Sequence, residues 1–323
     1  MSEPTVLIHQ SVRGTHWLNA ETLREEILDR DGSIDLWLAR TAEEAAECAP
    51  HVDVLLSSYV EPWLLDELSS LRWIQALSAG IDTFDPETVE TIEARDIPLT
   101  NAAGAHAQPA AEQVLGYMLT FERRFRSAFE NQRRGCWERY QPGELAGKTL
   151  AVVGLGEIGT RTAELAAAVG MDVVGIKRDT SVEIDAVGTL YEPDALSDVL
   201  IDSSYVLLSC PLTDETRGMI GREEIGSMRD DAVLINVARG AIVDEPALIE
   251  ALQQRTIRGA ALDVFTTEPL EGDSTLWDLS NVILTPHNLG SSPELPTRIA
   301  EIFLENYGMF LEGETERMRN RVR

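Results

Sequence analysis

The chain has 323 residues, enough for two buried cores. Hydrophobic residues at 44% and charged residues at 25% are ordinary for a globular protein, but a net charge of −28 at pH 7, from 55 Asp plus Glu against 27 Lys plus Arg, is not. Such a surface repels nucleic acid and anionic lipid and excludes both as partners. Three cysteines (Cys48, Cys136, Cys210) show no paired or metal-ligand spacing, and no run approaches the roughly 18 apolar residues of a membrane span. The opening "MSEPTVLIHQ" has neither the basic region nor the apolar stretch of a signal peptide. The expectation is a soluble, cytoplasmic protein with no metal. The acids are spread along the chain, and only two of the bases are lysines, Lys148 and Lys177. That surface resembles those of salt-adapted (halophilic) cytoplasmic proteins, in which salt screens the self-repulsion.

In chain order, "TVLIH" predicts a strand and the stretch from Asn19 to Arg30 a helix. "IDLWLA" then reads as a strand and "AEEAAECA" as a helix. "DVLLS" is a strand and "PWLLDELSS" a helix, with Pro62 suited to a first turn. "WIQAL" and "IPLTN" are further strands. Alternation of this kind predicts a parallel α/β layer. From about Asn101 the style changes. "QPAAEQVLGYMLTFERRFRSAF" has Pro109 near its start and then a long helical pattern. "KTLAVVGLGEIGTRTAELAAAVG" is a strand, a glycine turn and a helix, with Gly170 placed to cap its C-terminus. Strands "YVLLS", "AVLIN", "GAALDV" and "NVILT" follow, and Asp244 can cap the helix "EPALIEALQQ". The tail beyond Gly290 carries one amphipathic helix, with Ile299, Ile302, Phe303 and Phe310 on one face. One helix is too little for a third domain, so it should return to the first unit. The expected fold is α/β: a Rossmann-type doubly wound cofactor domain, residues 101–287, inserted in a flavodoxin-like substrate domain, residues 1–100 and 288–323.

Gly154, Gly156 and Gly159 form G-x-G-x-x-G between a strand and a helix. The first permits the tight turn. The second lets backbone amides approach a pyrophosphate, and the third lets helix and strand pack closely. Glu157 and Ile158 complete the turn as candidate cofactor-binding residues. The next strand, "DVVGI", ends on Lys177 and Arg178, where an NAD-binding unit usually has an acid for the adenosine ribose. Loss of the acid removes repulsion of a 2′-phosphate, and Arg178 can add a charge-assisted contact. The expected cofactor is NADP, with NAD possible. The alternative is an exposed basic turn in which Asp179 takes the ribose hydroxyls.

Three polar residues follow predicted strands of the same unit: Arg239 after "LINVA", Glu268 after "ALDVF" and His287 after "VILTP". Ligands of open α/β sheets bind outside the carboxyl ends of the strands, so all three could share one crevice. Arg can hold a carboxylate by two parallel hydrogen bonds, His can pass a proton near neutral pH, and an acid behind the His fixes its tautomer. Singly, each also reads as a solvated rim charge or a structural histidine. His9, His16, His51 and Cys210 receive that plain structural reading.

The pieces "LSAGID", "AAEQVLGYML", "GKTLAVVGLGEIG", "LLSCPLTDETRGMIG", "LINVARGAIVDEPALIEAL", "GAALDVFTTEPL" and "LWDLSNVILTPH" resemble the D-isomer-specific 2-hydroxyacid dehydrogenases, including glyoxylate/hydroxypyruvate reductases. The resemblance covers essentially the whole chain. It implies that His287 is the acid/base, Glu268 its partner, and Arg239 the group that orients the substrate carboxylate and carbonyl. It implies that Ala79 and Gly80 offer backbone amides to the carboxylate. Asp263 would hydrogen-bond the nicotinamide carboxamide, while Pro211, Thr216 and Ala238 would line the cofactor site. Hinges would fall near Asn101 and His287. A homodimer through the cofactor domain is implied, with the long helix from Pro109 as a candidate contact and Trp137 either an interface anchor or a border of the partner's pocket. His106 reads as a hinge-surface histidine.

Glu268 separates this chain from related formate dehydrogenases, which carry an amide there. The short tail after the last helix implies that the C-terminal regulatory domain of many phosphoglycerate dehydrogenases is lacking. Asn288, Leu289 and "NAAGAHAQPAAE" depart from the common pattern and leave the choice of 2-oxo acid open. A non-catalytic, dinucleotide-sensing interaction protein of the corepressor type is the competing class. A formate-type dehydrogenase is a further one.

Overall fold

The computed structural model describes residues 3–10, 18–81 and 84–322, so His16 lies outside them. The chain divides into two compact units, Met1–His106 with Ser291–Arg323, and Ala107–Gly290.

The first unit runs β1 (Thr5–His9), α1 (Ala20–Arg30), β2 (Asp35–Ala39), α2 (Ala42–Cys48), β3 (Val54–Ser57), α3 (Pro62–Glu67), β4 (Trp73–Ala76), α4 (Pro86–Ala94) and β5 (Leu99–Thr100). Its sheet is parallel throughout, in the order β2-β1-β3-β4-β5. That is the flavodoxin-like order, with its switch between β1 and β3. Asn19 caps α1 by accepting from the amides of Glu21 and Thr22, as short polar residues do at helix starts. β3 and β4 are buried at every position, as parallel strands covered on both faces must be.

The second unit begins with α5 (Ala107–Arg123) and α6 (Phe125–Arg133). Then follow β6 (Thr149–Val153), α7 (Glu157–Ala168), β7 (Asp172–Ile176), β8 (Thr189–Tyr191), α8 (Leu196–Asp202), β9 (Tyr205–Leu208), α9 (Arg222–Ser227), β10 (Val233–Asn236), α10 (Glu245–Gln254), β11 (Gly259–Leu262) and β12 (Val282–Leu284). The seven strands are parallel in the order β12-β11-β10-β9-β6-β7-β8. Strand order reverses between β6 and β9, so the carboxyl ends of these two strands form the switch point of a doubly wound sheet. Gly170, at φ +84°, turns the chain after α7, and Asp244 accepts from the amide of Ala247 to start α10.

The final helix, α11 (Leu295–Glu312), packs in the first unit. Ile299, Ile302, Phe303 and Phe310 are all buried. Trp73 of β4 stacks on Phe303 at 5.4 Å between ring centroids and meets Phe310 at 5.6 Å. Buried Asn306 donates to Gln75 Oε1 at 3.2 Å and accepts from the Arg319 amide at 2.7 Å. The last residues then bond beside β5, Val322 N to Leu99 O at 2.8 Å. These buried polar bonds are matched donor to acceptor, so α11 gains a defined register as well as apolar burial.

Candidate active site

The glycine turn leaves β6 at the switch point. Gly154 has φ +96°, and a Cβ there would lie 2.5 Å from the backbone nitrogen of Cys210 just beyond β9. Gly159 is equally constrained, since its Cβ would lie 2.1 Å from Gly154 O and 2.8 Å from Ser209 Oγ. Gly156, by contrast, has φ −81°, and a Cβ there would meet no protein atom within 4 Å. Neither backbone conformation nor protein packing asks for glycine at 156. Close approach of a ligand to the backbone does. The residues present therefore fit a pyrophosphate at the start of the twelve-residue α7. Glu157 and Ile158 open that helix.

On the far side of the switch point, the loop after β9 is fastened by its own hydroxyls. Thr216 Oγ1 donates to Pro211 O at 2.7 Å and accepts from the Thr213 amide at 2.8 Å. At the end of β7, the Lys177 amide bonds Tyr191 O of β8 at 3.1 Å, and the next two residues are exposed. Asp179 accepts from both the hydroxyl and the amide of Ser181, and these bonds hold its carboxyl below the usual range.

β10 leads into Arg239. The turn is shaped by Asn236, which is 1% exposed: its Oδ1 accepts from the Ala238 amide at 3.1 Å and its Nδ2 donates to Arg239 O at 3.0 Å. Gly240 then presses against the loop after β11, where a Cβ would lie 1.9 Å from the carbonyl carbon of Phe265. That close approach seats the Arg239 turn against the loop that carries Glu268. Neither Asn236 nor Gly240 stands among the candidates read from sequence. The Asn-x-x-Arg-Gly spacing is the signal that could have found them.

Glu268 Oε1 accepts from the Phe265 amide at 2.9 Å, and Oε2 lies 2.7 Å from His287 Nδ1. His287 and Glu268 side chains are 49% and 34% exposed, so the pair is open to a reactant. A carboxylate on Nδ1 selects the tautomer with its proton there and leaves Nε2 to exchange protons. His287 itself has φ +48°. This left-handed conformation costs a non-glycine residue on the order of 1 kcal/mol. It is held by the bond from the His287 amide to Asp263 O at 2.9 Å. Asp263 is 1% exposed, and its carboxylate accepts from the amides of Asn288 and Leu289.

The structure thus brings Glu268 and His287 into contact, with Asp263 beneath them and Arg239 on the adjoining strand end. The turn at Ala79 and Gly80 follows β4 in the other unit, where Ser78 Oγ donates to Gly80 O at 2.6 Å. His9 is buried, with burial pushing its imidazole below the ordinary value, and Cys210 is half-buried against Gly154.

A glycine turn at a sheet's switch point, with a carboxylate–histidine pair on neighbouring strand ends, is the arrangement of a dinucleotide-dependent oxidoreductase. The family model described as "D-isomer specific 2-hydroxyacid dehydrogenase, NAD binding domain" matches residues 115–288. The chain belongs to this family. It is 34% identical over 305 residues to a glyoxylate reductase of Aeropyrum pernix, covering 90% of each protein. It is 35% identical over 294 residues to a D-3-phosphoglycerate dehydrogenase of Methanocaldococcus jannaschii, covering 90% of this chain but 55% of that longer protein. Among solved structures, a D-isomer specific 2-hydroxyacid dehydrogenase from Xanthobacter autotrophicus, in complex with NADPH and MES, superposes with a TM-score of 0.84 at 28% identity, covering 100% of this chain and 98% of that one.

Proposed function

We propose that the protein is an NAD(P)-dependent D-2-hydroxyacid dehydrogenase that reduces small 2-oxo acids and prefers NADP. The contact between His287 Nδ1 and Glu268 Oε2 at 2.7 Å carries this reading. A nicotinamide held at this site would supply the hydride that C2 of the oxo acid takes up. His287 donates a proton from Nε2 to the oxygen that becomes the hydroxyl, and Glu268 stabilises the imidazolium before that transfer. Arg239 orients the carboxylate and polarises the carbonyl, and the amides of Ala79 and Gly80 take the other side of the carboxylate. Gly154, Gly156, Glu157, Ile158 and Gly159 hold the pyrophosphate, Pro211, Thr216 and Ala238 line the cofactor, and Asp263 meets the carboxamide. Residues 101–287 serve as the cofactor domain, and residues 1–100 with 288–323 as the substrate domain.

Lys177 and Arg178 recognise the 2′-phosphate. The Asp179–Ser181 bonds support this, because they occupy the one acid of that turn. The NADPH in the Xanthobacter relative supports it as well. A homodimer through this unit is supported by the exposed Phe125, Phe129 and Trp137. Among the described residues no helix is long and apolar enough to cross a membrane, and the three cysteines are free.

Steady-state kinetics with NADPH and NADH on glyoxylate, hydroxypyruvate, pyruvate and branched 2-oxo acids test the proposal. Turnover with NADPH favoured is expected, and Lys177→Asp with Arg178→Ile should move the preference toward NADH. NADPH binding without turnover on any acid would favour the dinucleotide-sensing class. Formate-dependent NADPH or NADH production would favour a formate-type enzyme.

A further inference from the structure

The side chains beneath His287 form a chain of hydrogen bonds that leads back to α5. Thr285 Oγ1 lies 2.5 Å from Asp263 Oδ1. A carboxylate only accepts, so the hydroxyl proton of Thr285 points to Asp263. Its oxygen is then free to accept, and it does so from Tyr117 OH at 2.5 Å and Gln113 Nε2 at 3.2 Å. Gln113 Nε2 also reaches the Tyr117 hydroxyl, and it lies 3.5 Å from Asp263 Oδ1. Gln113 and Tyr117 stand four apart on α5 and so share one face. Tyr117 is 5% exposed, and burial pushes its phenol above the ordinary value, so the phenol keeps the proton that it donates. Every donor in this chain has one direction: Tyr117 to Thr285, and Thr285 to Asp263.

The far end of the chain is the catalytic turn. Asp263 Oδ1 takes the Asn288 amide at 3.2 Å, Oδ2 takes the Leu289 amide at 3.1 Å, and the Asp263 carbonyl takes the His287 amide. Three successive amides are held by one residue, around a histidine in a left-handed conformation. Oδ1 takes Thr285 and Asn288, with Gln113 Nε2 at 3.5 Å as a further donor, so its acceptor positions are filled. Oδ2 keeps one position, enough for a single carboxamide N–H.

We propose that Gln113, Tyr117 and Thr285 are positioning residues: they orient the Asp263 carboxylate, which fixes the backbone at 287–289 and so aims the His287 ring. This rests on the proposed function for its kinetic consequence, although the hydrogen bonds do not depend on it. Their effect passes through the placement of Nε2, and small misplacement of a reacting group is costly in rate.

The test uses the full chain and the variants Thr285→Val, Thr285→Ser and Tyr117→Phe. Thr285→Val keeps the shape and removes the relay. It should lower kcat for 2-oxo acid reduction by roughly tenfold or more, with KM for NADPH within about twofold of wild type. Thr285→Ser, which keeps the hydroxyl, should restore most of kcat. Tyr117→Phe should fall between the two. Amide hydrogen exchange at 287–289 is the second readout and needs no activity. It should quicken in Thr285→Val, while exchange in the core strands stays unchanged. Unchanged exchange at these amides, or an unchanged kcat beside an active wild type, would overturn the proposal. An inactive wild type whose exchange still responds to Thr285→Val would sink the enzymatic reading and leave the clamp standing.

Discussion

In the proposed mechanism His287 concentrates the chemistry in one side chain, and two separate devices serve it. Glu268 sets the tautomer through Nδ1, while Asp263 sets the backbone. The first device is electrostatic, which gives a pH signature. Reduction consumes a protonated imidazole and oxidation a neutral one, so reduction should fall and oxidation rise as pH increases. His287→Ala should lower kcat by roughly a thousandfold in both directions. Glu268→Gln keeps a hydrogen-bonding group behind the ring but removes the carboxylate that selects its tautomer. Its kcat should fall by less than that of His287→Ala, because the ring keeps a hydrogen-bonding partner on Nδ1. Parallel pH–rate profiles for the two reaction directions would contradict the role given to His287. Much at this scale is legible in the sequence: a histidine, an acid and an arginine after predicted strands are visible in a linear chain. Tyr117 is not, because a tyrosine on an apolar helix face reads as core. Its hydroxyl meets Thr285, 168 positions away.

At the scale of elements, the second sheet divides its labour between its two ends. The carboxyl ends carry the glycine turn, Arg239, Glu268 and His287. The amino ends carry a buried ionic cluster centred on Glu122 of α5, which is 2% exposed. Glu122 Oε1 accepts from Tyr205 OH at 2.7 Å at the start of β9 and pairs with Arg258 just before β11. Lys148, just before β6, lies 3.8 Å away. One carboxylate thus ties α5 to three strands. Glu122→Gln strands two cations, but both remain about a third exposed, so the loss should be about 2 kcal/mol, below the range for fully buried pairs. Burial, then Glu122, pushes the Tyr205 phenol far above its ordinary value. The folded state therefore keeps a proton that the unfolded chain gives up. That contribution is complete below the ordinary tyrosine range and is lost as pH rises through and beyond it. Urea unfolding at neutral and alkaline pH checks both statements. Glu122→Gln should lower the neutral midpoint, and Tyr205→Phe should flatten the alkaline fall. A Glu122→Gln midpoint equal to wild type would mean that the cluster adds no net stability. The strands that anchor this arrangement were readable, because each is a short apolar run bounded by turn residues. β8 was not, being three residues long with none buried. α6 was no easier as a separate helix, since the break before it falls on Arg124, at φ +57°, with no glycine or proline to mark it.

At the scale of the whole molecule, the dominant quantity is the charge of −28, which the fold must tolerate and the cofactor must approach. Many of the acids lie on exposed helical positions, such as Glu43, Glu44 and Glu47 on α2. Compaction brings like charges together, so self-repulsion opposes folding most when screening is weakest. The Debye length falls from about 10 Å at 0.1 M salt to about 3 Å at 1 M. Repulsion between separated surface acids therefore nearly vanishes over that range. Contacts such as His287 with Glu268 at 2.7 Å lie within the shorter length and persist. Stability should thus rise with potassium chloride while the active-site geometry holds. Thermal unfolding from about 0.1 M to 1 M should show a steadily increasing Tm. The same screening bears on the cofactor. A diffuse attraction of the 2′-phosphate would disappear at high salt, whereas contact with Lys177 and Arg178 would not. The NADPH-over-NADH preference should then survive at 1 M salt even as Tm climbs. A Tm that falls with added chloride would remove self-repulsion as the controlling term. A preference that collapses while Tm rises would locate cofactor choice in the long-range field rather than in those two side chains.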